Sequence, residues 1–423
     1  MSVKQLRDHV QALSVDIDRQ RRVLKKLEGD KIIALRQLNA ILDPVTWLPL
    51  EISSEIFVQS LPPVPEPGAT PIPLLFLNIC HSWSHIALST PALWATIHVE
   101  FPRPEGFDHG LEDWLERARN RPLSISLRGS FDDDVATVIR EHAEQLKRLK
   151  IFHDGEDETD IDDPLRGIGP GPFPLLESLT IGSENINEDN EYISFDLSST
   201  LDVFHLTPNL VECTFDMVRG MTDRTLTPRA PVVLPNLCQL KFGSSEDYLE
   251  SHSTIMQYLT LPGLRTLFLS MRGISGDDLI AFLKRSSPPL RNLVINEQFF
   301  LSSPILEQCL RLLPTVTHLE LSNPHGILVQ GLFTALADSP SSLLPHLQSL
   351  RIPFYMDLNP QPAWVALQRA LSARRTHFTS VNIVVNGGRS WGLDADICAA
   401  FRQLVEDGME IYIGDHNKNF LSA

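Results

Sequence analysis

His81 and His85 stand four residues apart in a segment of helical pattern, a spacing that puts two imidazoles on one helix face where they can share a zinc ion. Hydrolytic zinc chemistry of this type also needs a glutamate between them as base, and Ser82-Trp83-Ser84 fills the interval instead. The acidic run at 154–163, DGEDETDIDD, has the density for calcium but not the ligand order of an EF-hand, and it reads as a solvated loop. There is no Gly-x-Ser-x-Gly elbow and no phosphate-binding or dinucleotide glycine fingerprint; Gly167-Ile168-Gly169-Pro170 follows a loop, and Asn386-Gly387-Gly388 reads as a turn. No catalytic residue, metal ligand or cofactor site is therefore expected, and the chain is read as a non-enzymatic protein that works through its surfaces.

Composition narrows those surfaces. With 43% hydrophobic and 21% charged residues over 423 positions, the chain is globular and long enough for several folded units or one elongated array. A net charge of -17 argues against a nucleic-acid partner, because neutralising phosphates needs a clustered basic surface and only the first 42 residues are basic. Five cysteines without a Cys-x-x-Cys pair signal neither a disulfide framework nor a zinc site. The charged opening Met1–Ser14 is unlike a signal peptide, and no apolar run reaches the roughly 18 residues of a membrane span. A cytoplasmic or nuclear protein with no membrane association is expected.

The elements that would carry the surfaces differ along the chain. Residues 3 to 42 hold no proline, and a heptad frame puts Val10, Ile17, Leu24, Lys31 and Leu38 at a, with Leu6, Leu13, Gln20, Leu27, Ala34 and Ile41 at d. This predicts one long helix over 1–43 that either pairs with a second copy as a coiled coil or packs on its own protein. Asp43-Pro44 ends it. A short helix follows Leu48-Pro49, with Ile52, Ile56 and Phe57 on one side; residues 62–73, six prolines in twelve, form a loop; then Leu77, Cys80, Trp83, Ile86 and Ala87 recur at helical spacing.

LPLEISSEIF and NICHSWSHIALSTPALW together resemble the F-box motif, here spanning 44–97: Leu-Pro and an acidic residue open the first helix, and Cys-x-x-Trp lies in the last. The Ser89–Trp94 segment and LEDWLERARNRPLSISL at 111–127 are similar to the segments downstream of the box in many fungal F-box proteins. The proline-rich insertion and His81-Ser82 before Trp83 depart from the pattern. The resemblance implies a three-helix module that docks on a Skp-type adaptor and, through it, a cullin. Leu48, Pro49, Ile52, Ile56, Phe57, Cys80 and Trp83 are the candidate contacts, being more apolar groups than so small a module buries; core packing is the alternative for each.

Beyond the box, apolar-x-x-apolar-x-apolar recurs nine times, usually just after a proline: Leu146/Leu149/Ile151, Leu176/Leu179/Ile181, Leu210/Cys213/Phe215, Leu237/Leu240/Phe242, Leu264/Leu267/Leu269, Leu290/Leu293/Ile295, Val316/Leu319/Leu321, Leu347/Leu350/Ile352 and Phe378/Val381/Ile383. Asp277–Ser286, Pro304–Leu313 and Ala363–Arg374 between them are helical by periodicity. The fold class expected is α/β: an N-terminal helix, the box, and over 98–423 an irregular leucine-rich-repeat solenoid interrupted near 154–174. A large domain with a doubly wound parallel sheet is the alternative.

In such an array the residues between buried leucines point out of the concave sheet. Arg148, Lys150, Glu212, Asp216, Gln239, Lys241, Phe268, Asn292, Val294, His318, Glu320, Arg351 and Asn382 are the candidates, their mixed chemistry suiting a protein segment; a solvated face without a partner is the other reading. The expected function is the substrate receptor of an SCF-type ubiquitin ligase, with a leucine-rich-repeat scaffold acting without a cullin as the alternative.

Overall fold

The computed structural model describes residues 3–62, 71–102, 107–153, 171–183, 193–216, 218–222, 230–243, 253–270, 274–296, 302–355, 361–375, 377–386, 393–415 and 418–421. Most of the proline-rich loop, the acidic run and Gly387-Gly388 lie outside them. The chain divides into two compact units, Met1–His98 with His109–Arg121, and Val99–Asp108 with Pro122–Ala423.

The first unit is helical: α1 Val3–Leu42, α2 Leu50–Gln59, α3 Ile72–Ile79, α4 His81–Leu88 and most of α5 Phe107–Ala118. Proline places its boundaries. After α1 the Asp43 carboxylate accepts the Val45 amide at 2.9 Å and starts a 3-10 turn, Pro44–Trp47. Pro71 caps α3 and Pro73 sits in its first turn, so helix begins inside the stretch read as loop to 73, where a missing N–H costs nothing. Cys80, extended at φ -157, separates α3 from α4. Phe57, Phe76 and Trp83 pack as a triad with centroids 4.3, 4.7 and 5.5 Å apart. Trp114 of α5 lies edge-on to Trp94 at 4.8 Å and donates its indole N–H to the Trp94 carbonyl at 2.8 Å. That packing assigns α5 to this unit, whereas the sequence boundary at 97 leaves it with the array.

The second unit carries a twelve-stranded sheet: β1 Thr96–Glu100, in which the two units divide the chain, then β2 Leu123–Arg128, β3 Leu146–His153, β4 Ser178–Ser183, β5 Glu212–Asp216, β6 Gln239–Phe242, β7 Thr266–Ser270, β8 Asn292–Asn296, β9 His318–Ser322, β10 Ser349–Tyr355, β11 Ser380–Asn386 and β12 Glu410–Gly414. Strand order in the sheet follows order in the chain, and every pairing from β2 to β12 is parallel. Helices connect them: α6 Asp133–Glu141, α7 Leu197–Leu206, α8 Ser253–Tyr258, α9 Gly276–Ser286, α10 Ser303–Arg311, α11 Gly326–Asp338, α12 Gln361–Ala373 and α13 Ala395–Glu406. Two further pairs of short strands, Ile193–Asp196 with Val218–Thr222 and Val232–Val233 with Leu259–Thr260, lie outside the main sheet.

Six of the recurring prolines share one role. In Phe173–Leu176, Thr207–Leu210, Leu234–Leu237, Leu261–Leu264, Leu313–Val316 and Leu344–Leu347 the fourth residue's amide donates to the first residue's carbonyl, and proline is second, the position its fixed φ suits in a turn. The end residues of all six turns are buried, so each turn delivers the first apolar residue of a triplet to the core. Amides then bond across to the preceding strand in an unbroken series: Glu177 to Lys147, Val211 to Glu177, Cys238 to Val211, Arg265 to Cys238, Arg291 to Arg265, Thr317 to Arg291, Gln348 to Thr317, Thr379 to Gln348 and Glu410 to Thr379, all at 2.8–2.9 Å.

Register aligns the buried positions into rows. Leu149, Leu179, Cys213, Leu240, Leu267, Leu293, Leu319, Leu350, Val381 and Ile411 form one, and the residues two further along form another, with Phe215 stacked on Phe242 at 5.1 Å. Intervening residues are exposed or half-buried, so side-chain burial is concentrated on one face of the sheet; a doubly wound sheet buries both. Consecutive helices from α9 to α13 contact each other in a continuous layer. Close approach between them needs glycine: a Cβ on Gly331 in α11 would stand 2.4 Å from Ser303 Oγ at the start of α10.

Two arginines, Arg374 buried and Arg285 exposed, finish the layer. Arg374, just past α12, donates to the carbonyls of Leu344 at 2.9 Å and Ser339 at 3.1 Å, and to that of Leu343. Arg285 in α9 reaches the Leu259 and Met256 carbonyls at the end of α8. Burial lowers the pKa of both guanidinium groups.

Candidate functional site

The first unit divides its seven candidate residues between inside and outside. Phe57, within the aromatic triad, and Cys80 are buried and belong to the core. Trp83 is half-buried: its ring packs on Phe57 and Phe76 while its indole N–H donates to the Asp43 carboxylate, tying α4 to the end of α1. Leu48, Pro49, Ile52 and Ile56 face outward. Ile52 and Ile56 lie one turn apart on α2, 51% and 45% exposed, and Leu48, in extended backbone two residues before the helix, is exposed as well. The stripe is held from beneath by Ser53, whose buried hydroxyl donates to the Val45 and Pro49 carbonyls at 3.2 Å, and by Ser54, bonded to Thr90 at 2.7 Å.

Two members of this surface are missing from the sequence-derived set. Trp47, 84% exposed, and Leu50 extend the apolar stripe around the entry to α2. The signal was available: Trp47-Leu48-Pro49-Leu50 is a four-residue apolar run at a helix start, too short and too early in the helix to be buried by it. His81 and His85 are both exposed on α4, and the described residues contain no cluster of three or more groups that could hold a metal ion.

In the second unit, register brings together residues scattered over more than two hundred positions. Arg148, Glu212, Gln239, Asn292 and His318 fall in one cross-strand row; Lys150, Lys241, Phe268, Val294, Glu320, Arg351 and Asn382 fall in the next; Asp216 stands two residues further along β5. All thirteen lie on the face opposite the buried rows, and none is fully buried.

The central row pairs its charges with one another and with Asp216. Lys241 Nζ is 3.3 Å from an Asp216 carboxylate oxygen and 5.6 Å from the centroid of Phe268, and Arg351 is 3.6 Å from Glu320. Around them Arg148 donates to Ser124 at 3.1 Å and Ser380 to Ser349 at 2.9 Å. Such partly exposed pairs contribute at most about 1 kcal/mol each, so the face is a patterned surface and not a source of stability. Ser126, Thr180, Thr214 and Tyr412 complete the central row and were passed over in sequence; the alternation that located Lys241 and Val294 also locates them.

Thiol chemistry is suppressed at Cys213 in a buried row and at Cys309 in α10. Burial raises the Cys213 thiol far above its ordinary pKa, and burial pushes Cys309 up to about 12 against the pull of a backbone hydrogen bond. Compared with family models and with curated proteins, the chain matches none. Among the described residues, no helix is long and apolar enough to cross a membrane.

Proposed function

We propose that this chain is the substrate-receptor subunit of an SCF-type ubiquitin ligase, with an F-box at 44–97 and an irregular leucine-rich-repeat solenoid as its receptor arm. The observation that carries this reading is the outward pair Ile52 and Ile56 on α2, with exposed Leu48 just before the helix, on a helical unit whose interior is already filled by Phe57, Phe76, Cys80 and Trp83. An apolar row left outside a completed core is what a docking helix needs. Trp47, Pro49 and Leu50 enlarge it, and the Skp-type adaptor is the partner that the F-box resemblance names.

The receptor arm takes a protein segment on the open sheet face. Its central row offers carboxylate, ammonium, guanidinium, aromatic and aliphatic groups at about 4.8 Å intervals, the spacing of neighbouring strands. Strand order that follows chain order, one-sided burial and proline turns support a stacked array over a doubly wound domain. The chain contributes geometry and not bond chemistry: holding a substrate beside a ubiquitin-charged enzyme raises the local concentration of its lysines.

Purified adaptor and full-length chain test the first half. Wild type retains the adaptor, and an Ile52→Lys/Ile56→Lys variant with an unchanged melting temperature loses it; equal retention by both, or by neither, refutes the proposal. Recovery of a cullin with the adaptor distinguishes the ligase subunit from a scaffold that acts without one.

A further inference from the structure

We infer that α1 forms a parallel, in-register coiled coil with a second copy of this chain. This inference is independent of the ligase reading. Helix α1 runs for 40 residues, and among its described side chains the apolar residues at a and d, with Val3 added at the first a, are 48–74% exposed. An isolated helix gains little from hydrogen bonds alone in water, so a stripe this long and this apolar calls for a partner.

The structure shows which way the stripe points. α1 is fastened to its own unit near its C-terminal end: Arg36 donates to the Asn78 side chain at 2.8 Å and to its carbonyl at 3.2 Å, Asn39 donates to the Ile79 carbonyl at 3.4 Å, and Asp43 just beyond receives the Trp83 indole. In the heptad frame Arg36 and Asp43 are f positions and Asn39 is b, the side of the helix away from a and d. The face used for docking within the chain is therefore not the seam. The seam is left open by the way the helix is attached, which answers the alternative that α1 packs its apolar stripe on its own protein. Gly29, the residue least suited to a helix, is also at f, where it does not interrupt the seam.

Residue type at the seam identifies the occupant. The first three a positions are Val3, Val10 and Ile17 with Leu6 and Leu13 at d, the β-branched a and leucine d combination that favours two parallel strands. Flanking charges agree. In a parallel pair, Asp16 at g meets Arg21 at e of the other copy, five residues on, and symmetry repeats the contact. In the antiparallel alignment that keeps full overlap, Asp16 meets Asp30 and Arg21 meets its own counterpart, two like-charge contacts. Within one chain Arg21 has only a loose pairing with Asp18 at 3.8 Å, both highly exposed, so it is available. Gln20 at d and Lys31 at a are single polar layers that hold the register at some cost in stability.

The test uses the full chain. Sedimentation equilibrium at micromolar concentration gives a dimer of the 47.5 kDa chain, and Ile17→Lys/Leu24→Lys raises the dissociation constant at least about a hundredfold without changing the melting of the rest of the protein. Both substituted side chains are exposed in the single chain, so the variant folds. Val10→Cys, oxidised, gives a covalent dimer that wild type does not, because in a parallel register Val10 faces its own copy. A monomer, a higher oligomer, or a dimer indifferent to the lysine pair overturns the inference; a dimer in which Val10→Cys links only to an Ala34→Cys partner overturns the parallel arrangement.

Discussion

The two units treat apolar side chains in opposite ways. On the twelve-stranded sheet the repeated leucines all go inward, and the opposite face is left to groups such as Lys241, Glu320 and Arg351, paired loosely among themselves. In the helical unit the core closes with Phe57, Phe76 and Trp83, and Leu48, Ile52, Ile56 and Trp47 remain in water. The helical unit thus shows an exposed apolar patch beside a filled core, and the sheet a polar face over a leucine ladder that stands in water by itself.

Adjacent residues of opposite exposure sharpen this contrast most. Phe57→Ala should cost about 3–5 kcal/mol and Leu293→Ala about 2–5 kcal/mol in chemical denaturation, while their neighbours Ile56→Ala and Val294→Ala stay within about 0.5 kcal/mol. A loss at Ile56 as large as at Phe57 would erase the distinction between stripe and core. Arg374 and Arg375 form a second such pair. Arg374→Met strips the carbonyls of Ser339, Leu343 and Leu344 of a buried donor and should cost about 3 kcal/mol, against less than about 1 kcal/mol for Arg375→Met, whose partner Asp407 it meets at the surface.

Other substitutions should have smaller effects. Gly331→Val forces α10 and α11 apart and should lower stability by about 1–3 kcal/mol, read from the denaturation midpoint. Brief treatment of the native chain with iodoacetamide near pH 8 should label Cys238 and Cys398, which are partly exposed, and spare Cys213 and Cys309, whose thiolates burial disfavours; labelling of Cys213 before unfolding would contradict its place in the buried row. At the surface, Lys241→Ala should leave stability within about 1 kcal/mol.

Much of this was legible in the chain. All nine apolar triplets lie in buried rows because strand alternation is a period of two that sequence displays directly. The tenth, ending at Ile411 and Ile413, was missed: Met409 stands two residues before Ile411, not three, and no proline introduces it. The proline turns were seen as punctuation, but their role needed the amide-to-carbonyl closure that only coordinates give. The attachment of α5 to the helical unit was not legible, because it is a tryptophan indole reaching a carbonyl twenty residues away, a contact without any periodic trace. The division of the residues on α2 met the same limit: helical spacing puts Ile56 and Phe57 side by side, and which one turns inward depended on Phe76 and Trp83 arriving from elsewhere.

The nine amide-to-carbonyl bonds that align the strands are made by backbone, and the rows beneath them by leucines. None of that depends on the identity of the side chains on the open face. Each exposed position there can be exchanged without disturbing its neighbours' alignment, so the chemistry that the face presents can drift one residue at a time while the architecture that displays it stands still.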